Sequence, residues 1–312
     1  MTTGVLLTPN RSAEHVVADA VEQASLAWDT GVRHVWLGQQ LDLDAVAVAG
    51  IIGAMIPGLA VGTSVVPINP RHPLILAAAA QTAQSASRGH FSLGVGLGVA
   101  MLEEWAFAIP TDHAAARLRE YLTVLRAVRD TGTVEFRGQH VTAVDPQVMP
   151  VALPSAAPYP VFVAAMGPRT LQVTGELADG TMPYAGPRTL EEFIVPTIGK
   201  AAADAGRPAP RVFGLVSVAV TRDVEQARAE AAEAMAVYDQ VPSYQRVNAR
   251  EGVDSVVDLA LIGDEEHVAR GLARYVEAGA TDLLLMPVQA GRDQLRRVCE
   301  LAAGIPAPGG HL

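Results

Sequence analysis

The chain has 312 residues, of which 50% are hydrophobic, 18% charged and 5% aromatic, and its mean hydropathy of +0.23 excludes a disordered chain. The net charge of -10 argues against nucleic acid and anionic membranes as partners, and no apolar run reaches the roughly 18–20 residues of a membrane span. The single cysteine, Cys299, excludes a disulfide framework and a cysteine-cluster metal site, so we expect a cytoplasmic protein.

The basic residues are almost all arginines, with Lys200 the one lysine among 23, and alanine is abundant. This composition is typical of a GC-rich, actinobacterial-type genome. An anionic ligand would therefore be held by arginine, by backbone N–H groups or by a helix N-terminus.

Short apolar runs alternate along the chain with Ala-, Arg- and Glu-rich segments of helical periodicity. The predicted strands are Val5–Leu7, His34–Leu37, Ala60–Val66, Phe91–Gly96, Val161–Ala165, Gly180–Met182, Val212–Val220 and Asp282–Met286. The predicted helices are Ser12–Thr30 (with Ser12 as N-cap), Asp42–Met55, Leu74–Ser87, Ala114–Thr131, Thr170–Leu177, Leu190–Ala205, Val224–Tyr238, Glu265–Ala278 and Asp293–Ala303. Alternation predicts an α/β fold with a parallel sheet, and eight units favour a (β/α)8 TIM barrel over an open two-domain sheet.

We expect one domain over residues 1–312, with two insertions near 133–160 and 239–263. The first contains an alternating run, Val134–Val141, which predicts a hairpin turning at Arg137-Gly138. A proline-rich link follows it.

The loops after the strands would form the active site of a barrel, and here they are rich in Gly, Ser, Thr, Ala and Gln. No paired carboxylates, metal-ligand spacing or Gly-x-Ser-x-Gly elbow occurs there, which argues against glycosidases, metalloenzymes and serine hydrolases. Such a mouth suits an enzyme whose cofactor carries the reaction.

Two of these loops could contact a cofactor directly. Gly94-Val95-Gly96-Leu97-Gly98 either lets a ring lie against the backbone or forms an ordinary tight turn. In Ala165–Thr170, Gly167 ends a strand and Pro168 opens a helix, so free N–H groups could bind phosphate, with Arg169 adding charge; an ordinary helix start is the alternative.

Several segments together, by order and spacing, resemble the luciferase-like monooxygenase superfamily over nearly the whole chain. They are Gly62–Val65, Arg71–Pro73, Arg88–Gly96, Val161–Pro168, Gly175–Gly180 and Ile262–Glu265. The third-strand motif is similar to the branch that uses the deazaflavin coenzyme F420, which places a non-proline cis peptide beside the ring. The resemblance implies that this bond is Ser64-Val65.

The same resemblance implies a set of cofactor contacts. Near the ring it would place Ser64, Val65, Leu97 and Gly98, and Gln39 is a further candidate for cofactor binding. Around the ribityl phosphate it would place Ala164, Ala165, Met166 and Gly167, next to Pro168 and Arg169 of the helix start described above. It also implies a homodimer, and no metal is expected.

The chain departs from the sugar-phosphate dehydrogenase of this family at its acid and base. Gln39-Gln40 replaces an Asp-His pair, and Val99 replaces a glutamate, so proton abstraction from a sugar hydroxyl is disfavoured. Catalytic residues are therefore unknown, with Gln40 and His72 as the candidates; His72 could equally be structural. Glu103 and Glu104 could approach the mouth, or could cap or solvate the following segment.

The predicted function is that of a coenzyme F420-dependent oxidoreductase, acting as a reductase on a small organic substrate such as an activated alkene, quinone or imine. One alternative is a monooxygenase that uses flavin mononucleotide (FMN). A second is a protein that binds F420 without turnover.

Overall fold

The computed structural model describes residues 1–305. Its strands are β1 Thr3–Leu7, β2 His34–Leu37, β3 Ala60–Thr63, β4 Val66–Pro67, β5 Phe91–Gly96, β6 Glu135–Arg137, β7 Thr142–Val144, β8 Val161–Val163, β9 Gly180–Thr181, β10 Arg211–Val220, β11 Leu261–Gly263 and β12 Asp282–Pro287. Its helices are α1 Val16–Asp29, α2 Ala45–Met55, α3 Pro73–Ala86, α4 Ala100–Phe107, α5 Ala114–Thr131, α6 Pro168–Leu177, α7 Pro187–Thr189, α8 Val195–Asp204, α9 Val224–Met235, α10 Pro242–Glu251, α11 Glu265–Glu277 and α12 Arg292–Gly304. A π-helical turn, Leu190–Ile194, precedes α8, and 3-10 turns form at Tyr238–Gln240 and Val256–Leu259.

Eight parallel strands close into a barrel in the order β1-β2-β3-β5-β8-β9-β10-β12, and β12 pairs again with β1. The predicted (β/α)8 barrel is thus confirmed, and all eight predicted strands belong to it. Two short strands extend it, since β4 pairs with β5 and β11 with β10.

Large apolar side chains fill the middle of the barrel. Trp36, Phe162 and Phe213 meet edge-on or tilted, with ring centroids 4.9–6.2 Å apart. Met182 and Leu284 complete this interior cluster, and all five side chains are buried. Because the strands alternate inward and outward residues, the outward Val and Leu side chains pack against the surrounding helices.

A polar group closes the amino end of the barrel. Arg211 forms two hydrogen bonds with the buried Asp282 carboxylate, of 2.8 and 2.7 Å, and Thr2 donates to the same carboxylate from its backbone N–H at 2.9 Å and its hydroxyl at 2.5 Å. His34 lies nearby, stacked on Trp36 at 4.4 Å, and burial lowers the pKa of His34 to about 3, so it is neutral. These buried polar contacts therefore close the amino end of the barrel.

Helix α1 begins at Val16, so the prediction of a start at Ser12 with Ser12 as N-cap was wrong. His15 occupies the N-cap position, without a side-chain cap. The preceding residues form a turn because the Asn10 side chain accepts from the Ser12 N–H at 3.0 Å and Asp19 accepts from the Asn10 N–H at 2.7 Å. Local side-chain bonds of this type compete with the helix.

The hairpin of the first insertion is confirmed, but its turn is wider than the predicted Arg137-Gly138. Strands β6 and β7 pair antiparallel, with Arg137 opposite Thr142, so residues 138–141 form the loop. The Glu120 carboxylate of α5 accepts from the N–H groups of Gln139, His140 and Val141 at 2.7–2.9 Å. That side chain fixes a loop of four residues where the sequence suggested two.

The second insertion folds into α10, a 3-10 turn and β11, which lie beside the carboxyl end of β10. Asp239 holds it together, because its carboxylate accepts from the Ser255 hydroxyl at 2.6 Å and the Val256 N–H at 2.7 Å. Burial opposes ionisation of Asp239, but these hydrogen bonds outweigh it and lower its pKa. Helix α9 ends at Met235, three residues before the predicted end.

Candidate active site

The carboxyl end of the barrel is open above the interior cluster. Leu6, Val65 and Leu215 pack on that cluster from above and are only half-buried. The rim around them is built from small residues at strand ends, among them Gly38 and Ala164, which are also half-buried. The mouth therefore has an apolar floor bordered by small residues, which suits a flat molecule.

The bond between Ser64 and Val65 is cis, as predicted. The Ser64 N–H donates to the Leu37 carbonyl at 2.8 Å, which attaches the residue after β3 to the end of β2. Val65 then lies on the interior cluster and against β5: a Cβ at Gly96 would come within 2.7 Å of Val65 Cγ2. Glycine at position 96 thus gives Val65 its place in the floor.

Gly98 forms one rim of the mouth in a left-handed conformation, with φ of +75°. Beneath it lies the buried carboxylate of Glu103, since a Cβ at Gly98 would sit 1.9 Å from Glu103 Oε1. Asn69 bridges the two sides: its Nδ2 donates to the Leu97 carbonyl at 3.0 Å and to Glu103 Oε2. The Leu97-Gly98 rim is therefore tied to both β4 and α4.

Burial raises the pKa of Glu103, although the hydrogen bond from Asn69 and the charge of Arg117 act in the opposite direction. Its Oε1 has no hydrogen-bond partner among residues 1–305. The sequence left two interpretations open for Glu103 and Glu104, an approach to the mouth or a capping or solvated position. Glu103 is buried behind the rim of the mouth, and Glu104 is exposed.

The segment from Ala164 to Arg169 leads from β8 into α6. Gly167 is the N-cap and Pro168 the first helical residue, while Ala165 is buried and Met166 half-buried. The Thr170 hydroxyl donates to the Gly167 carbonyl at 2.9 Å, and the Arg169 side chain is exposed. The helix N-terminus and its positive dipole end thus face the carboxyl side of the barrel, beside the mouth.

The remaining candidates from the sequence lie in the neighbouring loops. The Gln39 amide is occupied within its own loop, donating to the Leu43 carbonyl at 3.1 Å and accepting from the Ala45 N–H at 3.1 Å. Gln40 is exposed, and its amide nitrogen lies 3.9 Å from where a Cβ on Gly38 would be. Gln40 therefore reaches the rim, whereas Gln39 braces the loop behind it.

Both ring nitrogens of His72 are engaged. Nδ1 accepts from the Leu74 N–H at 3.3 Å and so caps α3, which leaves Nε2 to donate to the Thr142 carbonyl of β7 at 2.9 Å. His72 links the hairpin to α3 in this structure.

Sequence reasoning missed Asn69 and the pairing of Tyr184 with Ser217, because each depends on contacts between residues 28–34 positions apart in the chain. Tyr184 Oη donates to Ser217 Oγ at 3.1 Å, and both residues are buried. Within residues 1–305, no cluster of His, Cys, Asp or Glu could hold a metal ion, and no helix is both long and apolar enough for a membrane span.

The carboxyl end of the barrel, with its apolar floor and its rim of small residues, is the candidate active site. The family model for luciferase-like monooxygenases matches residues 1–282, and the chain belongs to that family.

Sequence relatives and solved structures are similar to this chain to different extents. An uncharacterised protein of Mycobacterium tuberculosis is 31% identical over 209 residues, which are 62% of this chain and 61% of that protein, so less than two thirds of the relative is spanned. An F420-dependent glucose-6-phosphate dehydrogenase of Kineococcus radiotolerans is 24% identical over 317 residues, covering 93% of this chain and 91% of that protein. Among solved structures, an F420-dependent secondary alcohol dehydrogenase bound to an F420-acetone adduct has a TM-score of 0.80 at 21% identity, over 98% of both chains.

Proposed function

We propose that the chain is a coenzyme F420-dependent oxidoreductase that acts as a reductase on a small organic substrate. The observation that carries the proposal is the open floor formed by Leu6, Val65 and Leu215, framed by small residues where a planar ring would fit. The F420-dependent relative that matches nearly the whole chain supports the same cofactor.

The residues present fit the cofactor. Val65 would support one face of the ring, and Gly98 would border it. A side chain at position 98 would collide with Glu103, so glycine is needed there. The N-terminus of α6 at Gly167-Pro168, with Arg169, would hold the phosphate. Bound F420 would supply a hydride donor or acceptor at C5 of its deazaflavin ring.

The chain's own contribution is to bind, orient and exclude water. By the family resemblance, Gln39-Gln40 takes the place of an Asp-His pair and Val99, the N-cap of α4, the place of a glutamate, so these positions carry no titratable group. A substrate that needs little proton help fits this site better than an alcohol does. We therefore favour an activated alkene, a quinone or an imine.

Side-by-side fluorescence titrations with F420 and FMN test the cofactor. We expect a Kd for F420 in the micromolar range or tighter, and weaker binding of FMN. Tighter binding of FMN than of F420 would indicate a monooxygenase. If neither cofactor binds, the proposal is wrong. F420 binding without turnover of any reducible acceptor would favour the binding protein.

Gly98→Ala is expected to weaken F420 binding about tenfold or more, because the new methyl group would displace either the rim or Glu103. The matched control is Gly206→Ala, which has a similar φ of +66° but nothing within 4 Å of its Cβ. It carries the same left-handed strain without the collision, so its F420 affinity should stay unchanged. Equal affinity of both variants would show that the Leu97-Gly98 rim does not contact the ring.

The proposal also includes a cytoplasmic location and a homodimer. Helices α2 and α3 contain no charged residue, and they expose Ile51, Met55 and Ile75. An apolar outer face of this kind supports association between copies.

A further inference from the structure

Two buried hydroxyl groups lie one layer above the interior cluster of the barrel. Along β10, Phe213 and Leu215 both pack in that cluster, so Ser217, two residues further on, points inward toward the mouth. Tyr184 follows Met182 of the same cluster by two residues. The hydrogen bond of 3.1 Å between their oxygens brings both groups together at the mouth.

The direction of this hydrogen bond leaves one proton available. Tyr184 Oη donates to Ser217 Oγ, and burial raises the pKa of Tyr184, so the donating phenol is protonated. The Ser217 hydroxyl proton then has no acceptor among residues 1–305, although the residue is only 2% exposed. A buried hydroxyl in this state favours a ligand that brings an acceptor.

The second insertion fixes the position of Tyr184. Its ring lies 6.0 Å from that of Tyr244 on α10, which in turn lies 5.0 Å from Tyr238. The half-buried neighbours on the barrel side, Leu215 and Met286, are apolar. The surroundings of the available proton are thus aromatic and aliphatic.

We propose that Ser217 donates a hydrogen bond to the carbonyl oxygen of an uncharged, largely apolar substrate, such as an enone or a quinone, and that Tyr184 positions Ser217 for this contact. This inference rests on the proposed function. It deepens that function by naming the substrate class and the group that recognises it. A charged substrate would lose its hydration here without gaining a counter-ion from these residues.

The test uses Ser217→Ala, Ser217→Thr and Tyr184→Phe, with cyclohexenone and menadione as probes. Ser217→Ala should lower kcat/KM about tenfold with F420 affinity unchanged, because one hydrogen bond to substrate is lost. Ser217→Thr keeps the hydroxyl and should restore most of the rate, while Tyr184→Phe should fall between. Ser25→Ala is the control, since within residues 1–305 that hydroxyl donates to the Val21 carbonyl of its own helix, at 2.9 Å.

Infrared spectroscopy of the bound enone gives a readout independent of turnover. In the wild type the carbonyl stretch should move to lower frequency, and in Ser217→Ala that shift should vanish. An unshifted band in the wild type, or the same shift in both proteins, would overturn the role of Ser217. The measurement is made with and without F420, so that failure of the wild type to bind F420, which defeats the proposed function, is seen separately.

Discussion

Gly94→Ala is expected to destabilise the protein by at least about 4 kcal/mol, or to prevent it from folding. Gly94 lies on β5, and a Cβ there would sit 1.9 Å from the Thr63 carbonyl oxygen and 2.8 Å from Met182 Sδ. The nearest atom belongs to the backbone of a barrel strand, so no side-chain rotation can relieve the collision. Soluble yield and chemical denaturation measure the effect.

Two hydrogen bonds between Thr63 and Gly94 hold β3 and β5 at this short distance. The Thr63 hydroxyl donates to the Gly94 carbonyl at 2.9 Å, and the Gly94 N–H donates to the Thr63 hydroxyl at 2.9 Å. Moving the strands apart to admit a methyl group would break both in a buried site.

The control for Gly94 is Gly199→Ala, in the middle of α8 with nothing within 4 Å of its Cβ. We expect a gain of about 0.5–1 kcal/mol there, because alanine has the higher helix propensity. A small effect at Gly94, similar in size to that at Gly199, would show that β3 and β5 do not approach as described.

The barrel was predictable because its signals are local. His34–Leu37 and Phe91–Gly96 are short, mostly apolar runs, and the structure has both strands with the predicted bounds. Helix α5 likewise has its predicted bounds, since the apolar spacing runs unbroken from Ala114 to Gly132 at its C-cap.

Features that depend on distant residues were not predictable in the same way. Helix α4 is absent from the predicted helices, because its exposed Met101, Leu102 and Trp105 give it no apolar face of helical spacing. The width of the hairpin turn depends on Glu120, about 20 residues away along the chain.

The same difference between local and distant signals applies to the candidate site. The cis bond at Ser64-Val65 came from resemblance to a family and not from local propensity. The partners of the hydroxyl of Ser217 and the carboxylate of Glu103 lie 33 and 34 residues away, at Tyr184 and Asn69. Nothing in the local sequence marks such pairs, because the closure of the barrel creates them.

Asp282→Asn is expected to cost about 3 kcal/mol of folding stability at neutral pH. The substitution removes the negative charge that pairs with Arg211 at the amino end of the barrel, and Asp282 is almost fully buried. Asp204→Asn is the control: its pair with Lys200 is exposed on both sides, so its unfolding free energy should change by well under 1 kcal/mol.

The pH dependence of stability distinguishes this charge from simple packing. Burial opposes ionisation of Asp282, but hydrogen bonds from Arg211 and Thr2 outweigh it and lower its pKa to about 2, from 3.8. A depressed folded pKa gives stability that is fully present above pH of about 4 and is lost as pH falls toward 2, and the difference corresponds to about 2 kcal/mol. Denaturation curves from pH 5 down to pH 2 should show this loss of unfolding free energy in the wild type and in Asp204→Asn. In Asp282→Asn the loss should be about 2 kcal/mol smaller. If the wild type and Asp282→Asn lose stability in parallel, the Asp282 carboxylate is not the group that ties Arg211 and the N-terminal strand together.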